Sequence, residues 1–311
     1  MPGRADSSGA TPVTPSLLRE WPLPAPGQDK YSRGSVLVVG GARATPGAAL
    51  LAGTAALRAG AGKLTLAVAE SVAVQVGVAL PECGSIGLPE TAAGSVRPEL
   101  DRISAPLDEA DAVLVGPGLD DPELAGQLLA ALLEREAARG DRPGGDPGSR
   151  GGPAVVLDAY ALGALASLED QLAPWRGRLI LTPNRKEAAV LLGRDVDDLE
   201  KDLAEISDRF HAVVTCQGFI SQPPGLEPEE PERWRITTGY GGLGTSGSGD
   251  VLAGAIAGLR ARGTSSAQAA CWGTHLHASA GDRLASRCGP LGFLARELAD
   301  ELPALMLEFS V

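Results

Sequence analysis

The chain has 311 residues, 44% of them hydrophobic but only 4% aromatic, with 39 acidic against 27 basic side chains and a net charge of −12. That length carries one large core. The acidic balance excludes a nonspecific nucleic-acid binder, which needs a basic surface, and no run approaches the roughly 18 apolar residues of a membrane-spanning helix.

A small anionic ligand is compatible with this charge if backbone amides, helix N termini and a divalent cation hold it. In chain order, residues 1–30 (MPGRADSSGATPVTPSLLREWPLPAPGQDK) contain no apolar signal core and read as a flexible N-terminal extension. Residues 31–311 read as a single domain. Short apolar, β-branched runs follow at 35–40 (SVLVVG), 64–69 (LTLAVA), 112–116 (AVLVG), 154–158 (AVVLD), 179–182 (LILT) and 211–216 (HAVVTC). Between most of them lie helical patterns rich in Ala and Leu, such as GAALLAGTAALRAG, residues 122–140 and KEAAVLLG. Continuous apolar strands alternating with helices predict an α/β fold, a doubly wound, mostly parallel sheet covered on both faces. Right-handed crossovers then put the C-terminal end of every parallel strand on one edge, where such sheets bind ligands. The stretch 139–153 reads as a mobile surface insertion and 221–234 as a hairpin tip. Cys83, Cys216, Cys271 and Cys288 are scattered without CxxC or metal-ligand spacing. They read as free thiols of a cytoplasmic protein.

Glycine or polar residues follow the last apolar residue of four strands: GGARATPGAA, GPGLDDPE, DAYAL and TPNRKEAA. Four such endings on one edge predict a pocket. Gly242–Gly247 satisfies G-x-G-x-x-G, but the acidic residue, Asp250, lies in the loop itself rather than some twenty positions on, which argues against a dinucleotide fingerprint. The HLH at 275–277 lies in an apolar helix pattern and reads as packing. The remaining motif is Gly247-Ser248-Gly249-Asp250, opening an amphipathic helix over Val251–Arg262 that stops at Gly263. Its first-turn amides predict an anion hole. Asp250 reads either as a base for a substrate hydroxyl or as a carboxylate capping its own turn.

These residues carry a family resemblance. GSGDVLAGAIAGL resembles the G-x-G-D helix of the ribokinase-like superfamily, in which an anion hole holds a phosphoryl group and the Asp is the base. YSRGSVLVVGGARATPGAALLAGTAALRAGAGKLTLAV is similar to the opening of the ADP- or ATP-dependent NAD(P)H-hydrate dehydratases. ADAVLVGPGLD, VVLDAYAL, LTPNRKEAAVLLG, HLHASAGD and GFLARELADELPALM follow in that family's order. The resemblance covers roughly residues 15–308. It implies a ribokinase-like fold and repair of hydrated NADH or NADPH. A nucleotide phosphorylates the added ring hydroxyl, and phosphate then leaves to restore the double bond. It further implies Mg²⁺, a homo-oligomer, and a partner NAD(P)H-hydrate epimerase that is a separate protein. By the same resemblance Asp250 is the base, and Ala48, Gly118, Asn184 and Asp250 bind the substrate. Gln217, Gly218, Ser221, Gly247, Ser248 and Gly249 bind the nucleotide, and Glu187 organises the metal indirectly.

Three positions depart from the family pattern. Its H-P-G-E reads Asn184-Arg185-Lys186-Glu187, its K-G-x-x-T reads Gln217-Gly218-Phe219-Ile220-Ser221, and the aromatic of its Y-x-G-A is Thr45. The N-x-x-E so formed resembles ribokinase-like small-molecule kinases. That leaves two alternatives: an ATP-dependent kinase of a small alcohol or vitamin precursor, and a catalytically inactive nucleotide binder.

Overall fold

Burial alternates cleanly along the first long apolar run: Val36 and Val38 join one buried cluster, Leu37 and Val39 the other. A strand that is apolar at every position must be covered on both faces, and this one lies in the interior of a ten-stranded sheet. The computed structural model describes residues 9–25, 27–140, 152–226, 232–239 and 241–310. In chain order the strands are β1 (Thr11–Val13), β2 (Ser35–Val39), β3 (Lys63–Ala69), β4 (Gly84–Leu88), β5 (Ala112–Val115), β6 (Ala154–Leu157), β7 (Leu179–Leu181), β8 (Val213–Cys216), β9 (Phe219–Ser221) and β10 (Arg233–Ile236). The helices are α1 (Pro15–Glu20), α2 (Pro46–Arg58), α3 (Ala73–Ala79), α4 (Ser104–Glu109), α5 (Pro122–Gly140), α6 (Tyr160–Leu165), α7 (Arg185–Leu192), α8 (Leu199–Phe210), α9 (Ser248–Ala261), α10 (Ser266–Cys288) and α11 (Ala295–Phe309).

The sheet order is β1-β10-β9-β8-β7-β6-β5-β2-β3-β4, parallel except where β9 runs against β8 and β10. Helices α1, α2, α3, α9, α10 and α11 cover one face, and α4 to α8 the other. The expected mostly parallel, doubly wound sheet is present, and each of the six expected strands is in it.

The N-terminal reading is corrected over residues 10–21. Instead of a loose extension, Thr11–Val13 pairs with β10, and Ala10, Val13 and Leu18 are fully buried. Thr14 caps α1 by accepting from the Leu17 amide at 3.2 Å. Trp21 stacks on Trp234, and its carbonyl accepts from the Trp272 indole at 2.9 Å. The partners in β10 and α10 are more than 200 residues away in sequence, so no local periodicity announces them. Residues 1–8 and 26 of that stretch lie outside the described residues, as do 141–151 of the expected insertion and 227–231 of the expected hairpin tip. Strands β9 and β10 do pair antiparallel around the latter, Ile220 opposite Trp234. Strand β8 begins at Val213 rather than 211, because His211 takes the left-handed C-cap of α8.

Helices α2 and α9 run side by side in the same direction. A Cβ on Gly254 would strike the Ala52 carbonyl, and one on Gly258 the Ala56 carbonyl. That register brings both helix N termini to one edge of the sheet. Gly254→Ala should destabilise the fold by roughly 1–3 kcal/mol through overpacking, despite alanine's better helix propensity. Gly163 in α6 has open space beside it, so Gly163→Ala is the control, neutral or stabilising, in the same urea titration.

Candidate active site

The connection after β2 leads towards β3 and the one after β5 towards β6, so the two diverge and leave a crevice at a topological switch point. Hydrogen bonds stitch the two loops at its base. The Gly41 amide donates to the Pro117 carbonyl and the Ala42 amide to the Gly118 carbonyl, both at 2.8 Å. The Thr45 hydroxyl donates to the same Gly118 carbonyl, also at 2.8 Å. Gly118 has φ +74°, and a Cβ there would meet the Thr45 carbonyl and stand 3.1 Å from the Ala48 Cβ. Ala48, in the first turn of α2, and Gly118 are therefore close neighbours at this switch point.

The same edge carries the N terminus of α9. Gly247 is its N-cap at φ +87°, with no side-chain cap. The helix opens at Ser248, three residues before the expected start, so Asp250 sits inside the first turn and does not cap it. The Ser248 amide donates to the Thr245 carbonyl and the Val251 amide to the Gly247 carbonyl. Among the described residues the amides of Gly249 and Asp250 form no hydrogen bond. Gly249 is exposed, with open space where a side chain would stand. Two unpaired amides at the positive end of a helix dipole make an anion site.

Three carboxylates, after β6, in α7 and in α9, lie near enough here for their charges to act on one another. Burial, then the charge of Glu187, pushes Asp250 up to about 6. Asp158, at the end of β6, is buried and pushed up to about 7, chiefly by burial and further by the charges of Asp250 and Glu187. The Thr182 hydroxyl, donating to Asp158 Oδ1 at 2.8 Å, opposes that rise. Burial likewise raises Glu187. Ala159, directly after Asp158, has φ +51° without being glycine, a strained backbone of the kind that gathers at functional sites. Asp158 was given no role in the sequence reading. Its signal was a carboxylate immediately after the last apolar residue of a strand.

The other expected residues divide. Asn184 is the N-cap of α7: its Oδ1 accepts from the amides of Lys186 and Glu187 at 2.8 and 3.0 Å. Glu187 Oε2 accepts the Asn184 amide in return, at 2.9 Å. The N-x-x-E pattern is thus a capping box. Arg185 donates to the Val196 carbonyl at 2.6 Å. Gln217 and Gly218, at φ +48° and +85°, are the two-residue turn from β8 to β9, whose twist demands left-handed residues. That turn lies at the same edge, and the adjacent buried Cys216 thiol is pushed up to about 12 by burial and by Glu187. Ser221 is not brought there: it is buried on β9 opposite Val214, back along the sheet. Ser248 turns its hydroxyl inward to His277 Nε2 at 2.9 Å, so only its backbone faces the site. Gly247 lies against Leu51 of α2.

Magnesium fits this donor set. Among the described residues no group of three His, Cys, Asp or Glu side chains is placed to hold a metal directly. Mg²⁺ commonly uses one or two carboxylates together with substrate phosphates and water, and the carboxylates around the anion site would hold it in that way.

The family model described as NAD(P)H-hydrate dehydratase matches residues 36–304. The ADP-dependent (S)-NAD(P)H-hydrate dehydratase of Xanthomonas campestris is 40% identical over 301 residues, covering 94% of this chain and 95% of that one. The bifunctional NAD(P)H-hydrate repair enzyme of Moorella thermoacetica is 38% identical over 281 residues, 88% of this chain but 49% of that protein, so the chain spans about half of it. A ribokinase-like superfamily protein from Enterococcus faecalis V583 superposes with a TM-score of 0.76 at 19% identity over 99% of both chains, which places the fold. With a family model matching most of its length and a relative 40% identical across nearly all of it, the chain belongs to the NAD(P)H-hydrate dehydratase family, with a ribokinase-like fold.

Proposed function

We propose that the chain restores NADH or NADPH from the hydrated form, using ADP or ATP as phosphoryl donor. The observation that carries this reading is the pair of free amides at Gly249 and Asp250 beside a carboxylate held near pKa 6. The crevice bordered by Ala48 and Gly118 would take the hydrated nicotinamide ring. The amides would receive the transferring phosphoryl group, stabilising charge as it develops. Asp250 would accept the proton of the ring hydroxyl as its oxygen bonds to phosphorus and the donor's bridging P–O bond breaks. The C–O bond to the new phosphate then breaks, the neighbouring carbon loses a proton, and the double bond returns. Mg²⁺, when bound, supplies charge neutralisation on the phosphates. The capping box accounts for Asn184 and Glu187 without recourse to a small-alcohol kinase.

The 40% identity to a protein named as ADP-dependent supports ADP as donor. A cytoplasmic site fits the four unpaired thiols, and no described helix is long and apolar enough to cross a membrane. Exposed Val74 and Val78 on α3, beside the edge strand β4, offer an apolar face for a homo-oligomer. A relative named as bifunctional, about half of whose length the chain matches, supports coupling to a second repair activity such as an NAD(P)H-hydrate epimerase.

The test is hydrated NADH with Mg²⁺ and either ADP or ATP, following the return of reduced-nicotinamide absorbance. Recovery should require a nucleotide and release one phosphate per NADH. Because Asp250 works unprotonated, the rate should fall as pH drops through about 6, where an unperturbed Asp would hold it down to about 4. A stable phosphorylated product would favour the kinase. Nucleotide binding with no product would favour the inactive binder.

A further inference from the structure

Helix α10 is used by none of the steps above, yet one of its faces lies under the glycine-rich connection from β10 to α9. His277, Ala278, Gly281 and Asp282 share that face by helical spacing. The connection is described over 237–239 and 241–247. At its start, the Asp282 carboxylate accepts the Gly239 amide at 2.7 Å and the Thr238 hydroxyl. At its end, the buried His277 ring is bonded to the Ser248 hydroxyl at 2.9 Å, in the first turn of α9. Between these points the helix is small. The Ala278 Cβ lies 2.9 Å from where a side chain on Gly239 would begin, and Leu243 occupies the space beside Gly281, 2.7 Å from an added Cβ. On its other side the connection meets Phe293 and Pro290 at Gly242.

A segment this rich in glycine has many conformations to lose, and an anion hole works only if its donors are held in place before the charge arrives. Packing alone offers little grip on residues without side chains. A carboxylate bonding directly to backbone at one end, and an imidazole gripping the helix start at the other, supply it.

We propose that Asp282 and His277 are positioning residues that hold the β10–α9 connection to α10, and so aim the Gly249 and Asp250 amides at the nucleotide phosphate. The inference rests on the nucleotide-dependent reading given above. Asp282→Asn keeps the shape but loses the charge that strengthens both bonds.

The experiment measures ADP binding by titration calorimetry and initial rates with hydrated NADH, for the full chain and for Asp282→Asn. The expected result is a nucleotide Kd and KM raised at least ~10-fold, as for a lost charge-assisted hydrogen bond, while kcat at saturating nucleotide falls far less. A purely structural role would instead reduce the active fraction, lowering kcat with KM unchanged, and that outcome overturns the proposal. Thr238→Val, which removes one donor and leaves the carboxylate, guards against a misfolded first variant. It should move KM in the same direction by a smaller factor, and a wild-type KM in it would also overturn the proposal. If the unaltered chain binds neither ADP nor ATP, the functional reading itself fails and this inference with it. A variant-specific failure leaves that reading standing.

Discussion

Asp250→Asn lowers kcat by roughly 10²–10⁴, the usual worth of a positioned general base, while ADP binding and folding persist. The side chains are nearly isosteric, and the Asp250 carboxylate caps nothing in its own turn, so the substitution breaks no structural bond there. It removes one of three converging negative charges, which relieves Glu187 and Asp158. Stability at pH 8 should therefore stay level or rise, and calorimetric ADP affinity should hold or improve. Single-turnover phosphate release, measured beside thermal unfolding, separates the effects. A variant that turns over at the wild-type rate would remove Asp250 from the role of base. A variant that loses ADP binding together with turnover would mean the carboxylate acts chiefly through the metal.

Asp158→Asn has the second large effect, on stability. The folded Asp158 has its pKa near 7 against 3.8 for the free side chain, so the native state holds a proton that the unfolded chain releases. Stability must then fall as pH rises from about 4 to about 7, and the whole penalty is present above that range. Asparagine carries no charge to desolvate and keeps an oxygen for the Thr182 hydroxyl. The variant should gain on the order of 2–4 kcal/mol at pH 8 and close to nothing at pH 4, at 1.36 kcal/mol per pKa unit. Urea midpoints at the two pH values measure this directly. An equal gain at both would show that the effect is packing rather than charge. The charge of Asp250 contributes to that rise in Asp158, whereas Asp250 is itself raised by burial and Glu187, so the acid limb of activity should stay where it is in this variant. A buried carboxylate retained at this cost marks the place where the protein trades stability for local negative charge.

Both predictions turn on residues that the sequence exposed unequally. Asp250 was visible because glycines and a helix start surround it locally. Ala48 and Gly118 were singled out through the family motifs, and in the fold they are neighbours at the switch point. Asp158 passed unnoticed, since a single Asp after a strand is an ordinary turn residue until burial and two neighbouring carboxylates act on it. Asn184 and Glu187 showed the opposite failure, being locally sufficient as a helix cap and so offering more than one meaning. Ser221 matched a motif, but β9 reverses direction after the Gln217–Gly218 turn and carries it back into the sheet.

Strands β2, β3, β5, β6, β7 and β8, helices α2, α5 and α7 and the glycine-rich opening of α9 were determined by the sequence alone. Their signals are runs of a few to some twenty residues, and continuous apolar strands admit only a sheet covered on both faces. Other features were decided by tertiary structure. Strand β1 borrows its partner from β10, across more than 200 residues. The raised carboxylates exist only because three connections end at one edge. The grip of Asp282 and His277 on the glycine-rich connection spans 43 and 29 residues. Period and propensity act within one element, whereas burial, desolvation and charge repulsion are properties of neighbours, which the folded chain alone assigns.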